Sequence, residues 1–395
     1  MLQGRSRGDG AEPIRLLQVT AFVSTIDRFA MPPMLVAIAH DLGVPLSDIV
    51  QAAGAYFLAY GLSQPIWGMV SDRVGRVRTM RWTLMLAGVF ALSSGLAWSP
   101  LALAVTRGLA GAMFGAAYPS SLIYIGDTVA ASVRQRDIAR LMVGVAMGTA
   151  LASVGAGVLA HVSTWRAAFV VTGGSALLVA WLLGHLPEPV LRPRTGPLLA
   201  PIRRIARSRM TLLVLLFAFV EGAVLLGVLT LMPPAIESAG STAAIAGAAT
   251  GVYGVSVLLC SMLVGRLSKD WHPSRLIAVG GSAAVIAPAL LAISQAPFMA
   301  VAGAAVMGLA WTAMHSSLQT WATEVMPAER ATVVSLFAGN LFVGSAIAAV
   351  LVADLAEAGR YTLIFIISAV LAGPLAVGAA LARRLWLRPD DMRAP

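Results

Sequence analysis

Long apolar segments separated by short polar breaks run along the whole chain of 395 residues. A helix needs roughly 20 apolar residues to cross the hydrocarbon core of a bilayer. Twelve segments reach that length, and each predicts one membrane-spanning helix. Their ranges are 15–39, 47–70, 80–98, 101–126, 138–160, 165–186, 210–233, 243–266, 275–294, 298–322, 331–354 and 361–385. The pattern therefore predicts an all-α polytopic membrane protein with twelve transmembrane helices.

The second half of the chain repeats the first half at a fixed offset of 197 residues. Residues of distinctive type recur at that offset without gaps, as expected of a duplicated unit. The pairs include Gly54 and Gly251, Tyr56 and Tyr253, Gly68 and Gly265, Arg78 and Arg275, Pro100 and Pro297, and Asp127 and Glu324. We therefore predict two pseudo-symmetric six-helix bundles, residues 1–186 and 210–395, joined by a proline- and arginine-rich cytoplasmic linker at residues 187–209.

Composition and charge agree with a membrane protein. The chain is 58% hydrophobic and only 12% charged, yet its net charge is +10. If the amino terminus is cytoplasmic, Arg166 and Arg360 are the only basic residues in loops on the opposite side. This asymmetry predicts that both termini are cytoplasmic. The positive charge then reports topology, so we expect no nucleic-acid partner. We also expect contact with the lipid bilayer and a monomer.

A polar break between the second and third segments carries the sequence Gly68-Met-Val-Ser-Asp72-Arg73-Val-Gly75-Arg76-Val-Arg78. It resembles the signature loop of the major facilitator superfamily, and Gly265–Asp270 resembles a degenerate second copy. Arg107 and its spaced glycines resemble the family pattern in helix four. The resemblance implies a carrier of the bacterial plasma (inner) membrane, whose two halves rock around a central substrate site.

The resemblance also implies a cytoplasmic latch around this loop. Asp72 would face the start of helix eleven, and Arg76 would pair with an acid at the cytoplasmic end of helix four, a position that Asp127 matches. The predicted latch residues are Gly68, Asp72, Arg73, Gly75, Arg76 and Asp127. The alternative is that these charges are ordinary solvated loop residues.

Few ionisable residues lie within the predicted spans, and such residues are costly in lipid and commonly functional. Asp27 is the first candidate for a proton carrier, with Arg28 beside it. Glu221 is a second carrier or a counter-ion for a cationic substrate. Arg107 matches a family position that pairs with a cavity acid or a substrate anion, and His315 is either a proton relay or a packing residue. For both acids, a structural interhelical hydrogen bond is the alternative.

Aromatic and amide side chains at several positions are candidates for lining the substrate cavity, with packing or interfacial anchoring as the alternative. They are Tyr56, Tyr60, Gln64, Tyr118, Tyr124, Tyr253, Trp311 and Gln319. The five histidines show no pair at metal-ligand spacing. Because the sequence also lacks a Walker motif, we expect no metal, no cofactor and a proton gradient as the energy source.

The pattern favours proton-coupled export of a small amphipathic organic compound, as in the drug:proton antiporter-like members with twelve helices. The glycine-proline pair that antiporters commonly carry in helix five is replaced here by Ala152 and Ser153. The alternative is proton symport that imports a small organic anion, with Arg28 and Arg107 as the substrate clamp. A membrane enzyme is not expected, because no polar catalytic cluster occurs at one interface; a transport-like sensor stays open.

Overall fold

Twelve rod-like helices form the part of the chain that the computed structural model describes, residues 11–189 and 200–386. We number them α1 to α12. In the first half they are α1 (Ala11–Ala30, a 3-10 turn Pro32–Met34, then Leu35–Leu42), α2 (Leu46–Val74), α3 (Arg76–Gly95), α4 (Pro100–Phe114 and Ala117–Thr128), α5 (Ala131–Val162) and α6 (Trp165–Leu182 with the turn Leu183–His185).

The second half begins after a short linker helix, Ala200–Ile205. Its rods are α7 (Arg209–Glu221, a π-helical segment Gly222–Leu226, then Gly227–Ser238), α8 (Ala243–Leu267), α9 (Pro273–Ile293), α10 (Pro297–Ala310, a π-helical segment Trp311–His315, then Ser316–Glu324), α11 (Pro327–Glu329, then Arg330–Glu357) and α12 (Tyr361–Leu385). Residues 190–199 of the predicted linker lie outside the described residues, and the proposed domain boundaries stay a prediction.

The predicted all-α membrane fold is confirmed. Ten of the twelve rods are both long and apolar enough to cross a bilayer. The other two, α2 and α3, are 29 and 20 residues long and flank the polar loop. Their lower hydropathy follows from that loop, because α3 begins with three arginines within its first two turns.

Small residues let the two halves approach each other closely along α2 and α11. A Cβ atom added to Gly61 would lie 2.7 Å from the carbonyl oxygen of Gly339, and one added to Gly54 would lie 3.3 Å from that of Ala346. Without a hydrophobic driving force between helices in lipid, such close backbone packing is a main source of association.

The α5–α8 contact is built in the same way. A Cβ atom on Gly157 would collide with the Ala243 carbonyl oxygen, and one on Gly254 would meet the Ala150 amide nitrogen at 2.6 Å.

We call the end of the bundle that carries Asp41, Ser47 and Glu357 the outer end, following the topology predicted from charge. There the Ser47 amide donates a hydrogen bond to the Glu357 carboxylate across the two halves.

Two rods at equivalent places in the repeat are irregular near mid-length. In α10 the irregular segment is Trp311–His315, and the offset of 197 residues places it on 114–118, where α4 is interrupted between Phe114 and Ala117. Such interruptions free backbone groups that other side chains must satisfy. At the α4 break, Gln64 Nε2 donates to the Gly115 carbonyl at 3.2 Å, and Ser24 Oγ donates to the Phe114 carbonyl at 3.3 Å.

We predict that Gly61→Val destabilises the protein, because the added side chain would force α2 away from the Gly339 carbonyl oxygen. Overpacking of this kind costs about 1–3 kcal/mol. The matched control is Gly174→Val on α6, where an added Cβ meets nothing within 4 Å. The measurement is the unfolding free energy in detergent. Equal losses in the two variants would contradict the close α2–α11 contact.

Candidate functional site

A fully buried ion pair joins α1 to α4 in the first half of the chain. Arg107 Nη2 lies 2.9 Å from Asp27 Oδ2, and Arg107 Nη1 lies 3.1 Å from Asp27 Oδ1. Side-chain exposure is 1% for Arg107 and 0% for Asp27. The parallel two-point geometry is the strongest form of an arginine–carboxylate contact. The structure therefore gives Asp27 the helix-four arginine as its partner, not the adjacent Arg28.

Further contacts fix this pair. Thr172 Oγ1 of α6 donates to Asp27 Oδ1 at 2.9 Å, and Arg107 Nη2 also donates to the Asp27 carbonyl. The guanidinium lies over the rings of Tyr56 at 4.4 Å and Phe169 at 4.7 Å. Both oxygens of Asp27 are thus occupied, and the positive charge has aromatic faces above it. No feature of the sequence pointed to Thr172.

Arg28 has a different environment, although it follows Asp27 directly. Its Nη1 donates to the Tyr60 hydroxyl at 3.2 Å and its Nη2 to Thr25 Oγ1 at 3.3 Å. Its guanidinium lies 5.4 Å from the ring centroids of both Tyr60 and Phe342. Tyr60 belongs to α2 and Phe342 to α11, so Arg28 lies where the two halves meet. Among the described residues, no carboxylate pairs with it.

The second half of the chain holds its own buried titratable pair. His315 Nδ1 lies 3.1 Å from Glu221 Oε2. Glu221 is 0% exposed, and its other oxygen, Oε1, has no hydrogen-bond partner among the described residues. An oxygen of a buried carboxyl that lacks a hydrogen-bond partner carries a desolvation cost.

Helix irregularities position both members of this pair. Glu221 is the last residue before the π-helical segment of α7, and His315 is the last residue of the π-helical segment of α10. Such segments occur frequently at functional sites. The α7 segment packs tightly on α11, since a Cβ atom on Gly222 would overlap the Leu341 carbonyl oxygen.

Aromatic residues connect the Glu221 pair to Arg28. The Trp311 ring stacks on His315 at 3.9 Å, and Tyr253 meets Trp311 edge-on at 6.5 Å. The Phe337 ring of α11 lies 5.7 Å from the His315 ring, and Phe342 of the same helix lies against Arg28. The Glu221 pair and Arg28 therefore both border α11.

The remaining predicted cavity residues fall in several places. Tyr56 and Tyr60 stack on each other at 6.0 Å beside the two arginines, whereas Gln64 is used at the α4 break. The Tyr118 hydroxyl contacts Met142 within the first half, and the Tyr124 hydroxyl donates to the Pro187 carbonyl at the start of the linker. Gln319 is half-buried on α10. Phe342, which was not predicted from the sequence, is the residue through which α11 contacts Arg28.

The predicted latch residues cluster at the inner end, opposite the outer end. Arg76 lies 2.5 Å from Asp72 and 3.4 Å from Asp127, and its Nη1 donates to Ser71 Oγ at 2.7 Å. Arg73 is exposed.

Of the two glycines of the latch, Gly75 adopts a position that a side chain would disturb, whereas Gly68 has room for one. Gly75 has φ +117°, and an added Cβ would lie 2.6 Å from the Glu188 carboxyl group. Glu188, which the sequence reading missed, accepts hydrogen bonds from the Val77 and Arg78 amides and so caps the start of α3. Gly68 faces α11, where an added Cβ would be 3.5 Å from Ser335 Oγ.

An arginine also pairs with the repeat counterpart of Asp127. Arg383 Nη2 of α12 lies 2.6 Å from Glu324 Oε2. The repeat matches Glu324 to Asp127, but nothing in the sequence identified Arg383 as the partner of Glu324. Among residues 11–189 and 200–386, no group of three or more metal-binding side chains occurs.

We predict that Asp27→Asn destabilises the fold by about 3–5 kcal/mol, because it leaves Arg107 buried without a countercharge. The double variant Asp27→Leu/Arg107→Met should be more stable than either single change. The control is Asp41→Asn, which breaks an exposed pair with Arg166 and should cost about 0–1 kcal/mol. Unfolding free energies in detergent measure all of these variants, and similar losses at the two aspartates would refute the assignment.

Known transporters resemble this chain in sequence. The 4-hydroxybenzoate transporter PcaK of Acinetobacter baylyi is 24% identical over 368 residues, which covers 80% of this chain and 79% of the relative. The 3-(3-hydroxy-phenyl)propionate transporter of Escherichia coli is 32% identical, over 31% of this chain and 30% of the relative. Multidrug resistance protein D of Escherichia coli is 25% identical over 50% of each chain. The chain thus spans only part of the length of two of these relatives.

The fold also matches solved structures at low sequence identity. The nucleoside transporter NupG gives a TM-score of 0.76 at 13% identity, and the match covers 95% of this chain and 100% of NupG. A bacterial homologue of the human lysosomal transporter Spinster gives a TM-score of 0.75 at 18% identity, with 96% and 98% covered. These structures establish the fold alone.

The family follows from a match over almost the whole chain. The family model described as Major Facilitator Superfamily matches residues 17–349 and 215–395. Transport, not enzymatic catalysis, is the activity of that family. The chain therefore belongs to the Major Facilitator Superfamily, in agreement with the twelve-helix fold described above.

Proposed function

We propose that this carrier imports a small organic anion together with protons, and that Arg28 binds the carboxylate of the substrate. The observation that carries the proposal is the environment of Arg28. Of the two arginines predicted within spans of the first half, Arg107 is fully paired with Asp27, whereas Arg28 pairs with no carboxylate among the described residues. A guanidinium offers a planar fork that matches a carboxylate.

The position of Arg28 supports the same assignment. It contacts Tyr60 of the first half and Phe342 of the second half. In carriers built from two repeats, the substrate site lies near mid-membrane between the repeats. An anion bound to Arg28 would therefore be held by both halves, which lets its binding influence how they move.

The relatives favour an anion as cargo. Two of the relatives compared above are transporters of hydroxybenzoate and hydroxyphenylpropionate, both of which carry a carboxylate. Export of an amphipathic compound, the function first expected from the sequence, has the support of the multidrug resistance relative. The unpaired arginine favours the anion, since it would repel an amphipathic cation.

We predict that Arg28→Gln lowers carboxylate affinity by about 10- to 100-fold, because a charge-assisted hydrogen bond contributes about 1.5–3 kcal/mol. Purified protein in proteoliposomes is given an inward proton gradient and radiolabelled 4-hydroxybenzoate, 3-(3-hydroxyphenyl)propionate or galacturonate. The control is Arg15→Gln on the exposed face of the same helix.

Two outcomes would contradict the proposal. One is unchanged uptake by Arg28→Gln of an acid that the unaltered protein accumulates. The other is that no acid accumulates while ethidium is exchanged for protons, which would assign the chain to export. The neutral amide 4-hydroxybenzamide should compete poorly with its acid in the unaltered protein.

We further propose that the loop ordered by the Arg76 cluster holds the inner end closed during transport. The partners described above for Arg76 lie in the first half, but Gly68 of the same segment faces Ser335 of α11. Asp72→Asn would weaken this cluster and should increase the distance between spin labels at Ala139→Cys and Lys269→Cys, in a background where Cys260 is serine. Asp270→Asn, in the second copy of the loop, is the matched control. Label distances that respond equally to both changes would leave Asp72 as an ordinary loop charge.

A further inference from the structure

Glu221 and His315 form a buried pair that transport of an anion leaves without a role. The Glu221 carboxyl is completely buried, Oε2 faces the imidazole, and Oε1 has no partner among the described residues. The pair carries one negative charge when the carboxylate is ionised and the imidazole neutral. It becomes neutral when it takes up one proton, whichever of the two groups holds it.

Asp27, the other fully buried carboxylate among the described residues, is less suited to exchanging a proton. Asp27 accepts hydrogen bonds at both oxygens, from Arg107 and from Thr172. Protonating Asp27 would leave Arg107 buried without a countercharge, which is strongly unfavourable. The geometry therefore separates a permanent ion pair in the first half from a pair in the second half that can change its charge.

Few charged groups surround Glu221. His315 approaches it from α10, and Tyr253 lies on α8. The stretches 331–353 of α11 and 362–382 of α12 contain no ionisable side chain. From the first half, Arg28 contacts Phe342 of α11, the helix whose Phe337 ring lies 5.7 Å from the His315 ring. Since Arg107 is paired with Asp27, Arg28 is the cation left within the spans of the first half to offset an ionised Glu221.

These charges limit which combinations of anion binding at Arg28 and ionisation of Glu221 are stable in the low-dielectric centre of the protein. In the empty carrier, the positive charge of Arg28 offsets the negative charge of an ionised Glu221. When a substrate carboxylate neutralises Arg28, that compensation is lost, and an ionised Glu221 becomes an uncompensated buried charge. A proton on the Glu221–His315 pair restores neutrality.

We infer that Glu221 and His315 form the proton-binding site of this carrier, and that their protonation offsets the carboxylate bound at Arg28, so that one proton moves with each monovalent anion. This inference rests on the proposed function. Proton and anion enter together from the outer side and leave together inside. In both the loaded and the empty carrier, the charges of Arg28, the Glu221–His315 pair and any bound anion then sum to zero while the carrier changes conformation. Transport of a monovalent acid is therefore electroneutral.

The test uses the full-length protein in proteoliposomes, with 4-hydroxybenzoate as the probe and valinomycin to set the membrane potential. An inward gradient of about one pH unit should concentrate the acid about tenfold in the unaltered protein, the limit for one proton per anion. Imposed potential should leave this ratio unchanged. Accumulation that responds to potential would overturn the one-to-one stoichiometry.

Glu221→Gln is the decisive variant. Exchange of external for internal acid requires only the loaded carrier, so it should persist and show that the variant is folded. Net accumulation driven by the pH gradient should fall from about tenfold to about onefold. Since the empty carrier would now return with the uncompensated charge of Arg28, net uptake should become sensitive to membrane potential.

Two further variants complete the design. Glu221→Asp keeps a titratable carboxyl and should retain accumulation driven by the pH gradient. Glu237→Gln makes the same change on the same helix, at a carboxyl near the outer end, and should behave like the unaltered protein. Glu221→Gln that still accumulates acid in response to the pH gradient would overturn the inference. Failure of the proposed function differs, because the unaltered protein would then neither exchange nor accumulate the acid.

Discussion

The cost of a charge in a low-dielectric interior governs the centre of this protein. Each ionisable group there has a different solution to the same problem. Arg107 and Asp27 neutralise each other with two-point geometry, Glu221 faces an imidazole, and Arg28 rests against aromatic rings and hydroxyls. The first solution is complete and therefore static. In contrast, Glu221 Oε1 and the Arg28 guanidinium each keep hydrogen-bonding groups without a partner among the described residues. Under the proposed function, a proton would bind at Glu221 and a substrate anion at Arg28.

Helix irregularity and close packing make these arrangements possible. A regular helix would place Glu221 and His315 according to a strict period, whereas the π-helical segments beside them change that register. Their cost is tolerated because small residues allow neighbouring backbones to support the distorted turns. Gly222 against Leu341 is one such contact. In the related break of α4, side-chain donors such as Gln64 satisfy the freed carbonyl groups.

Much of the fold could be predicted from the sequence, since the length of apolar segments and the repeat at 197 residues report bilayer thickness and duplication directly. The ionisable residues of the site could be named for the same reason, because a charge in an apolar segment is conspicuous. Their partners could be predicted only in part. The family position of Arg107 implied a cavity acid or a substrate anion as its partner, but nothing in the sequence identified that acid as Asp27, 80 residues away. Arg28 follows Asp27 directly, yet neighbours in sequence on a helix point about 100° apart.

The distribution of these groups between the halves explains how they can serve a moving carrier. Asp27, Arg107 and Thr172 all belong to the first half, and Glu221 and His315 both belong to the second. Movement of one half against the other leaves both sets intact. Arg28 differs, because its aromatic surroundings come from both halves through Tyr60 and Phe342. The repeat does not duplicate this arrangement, since Arg28 falls on Leu225 and Glu221 on Ser24. In the proposed mechanism, one half thus supplies the unpaired cation and the other supplies the acid, and Arg28 lies where the two halves meet.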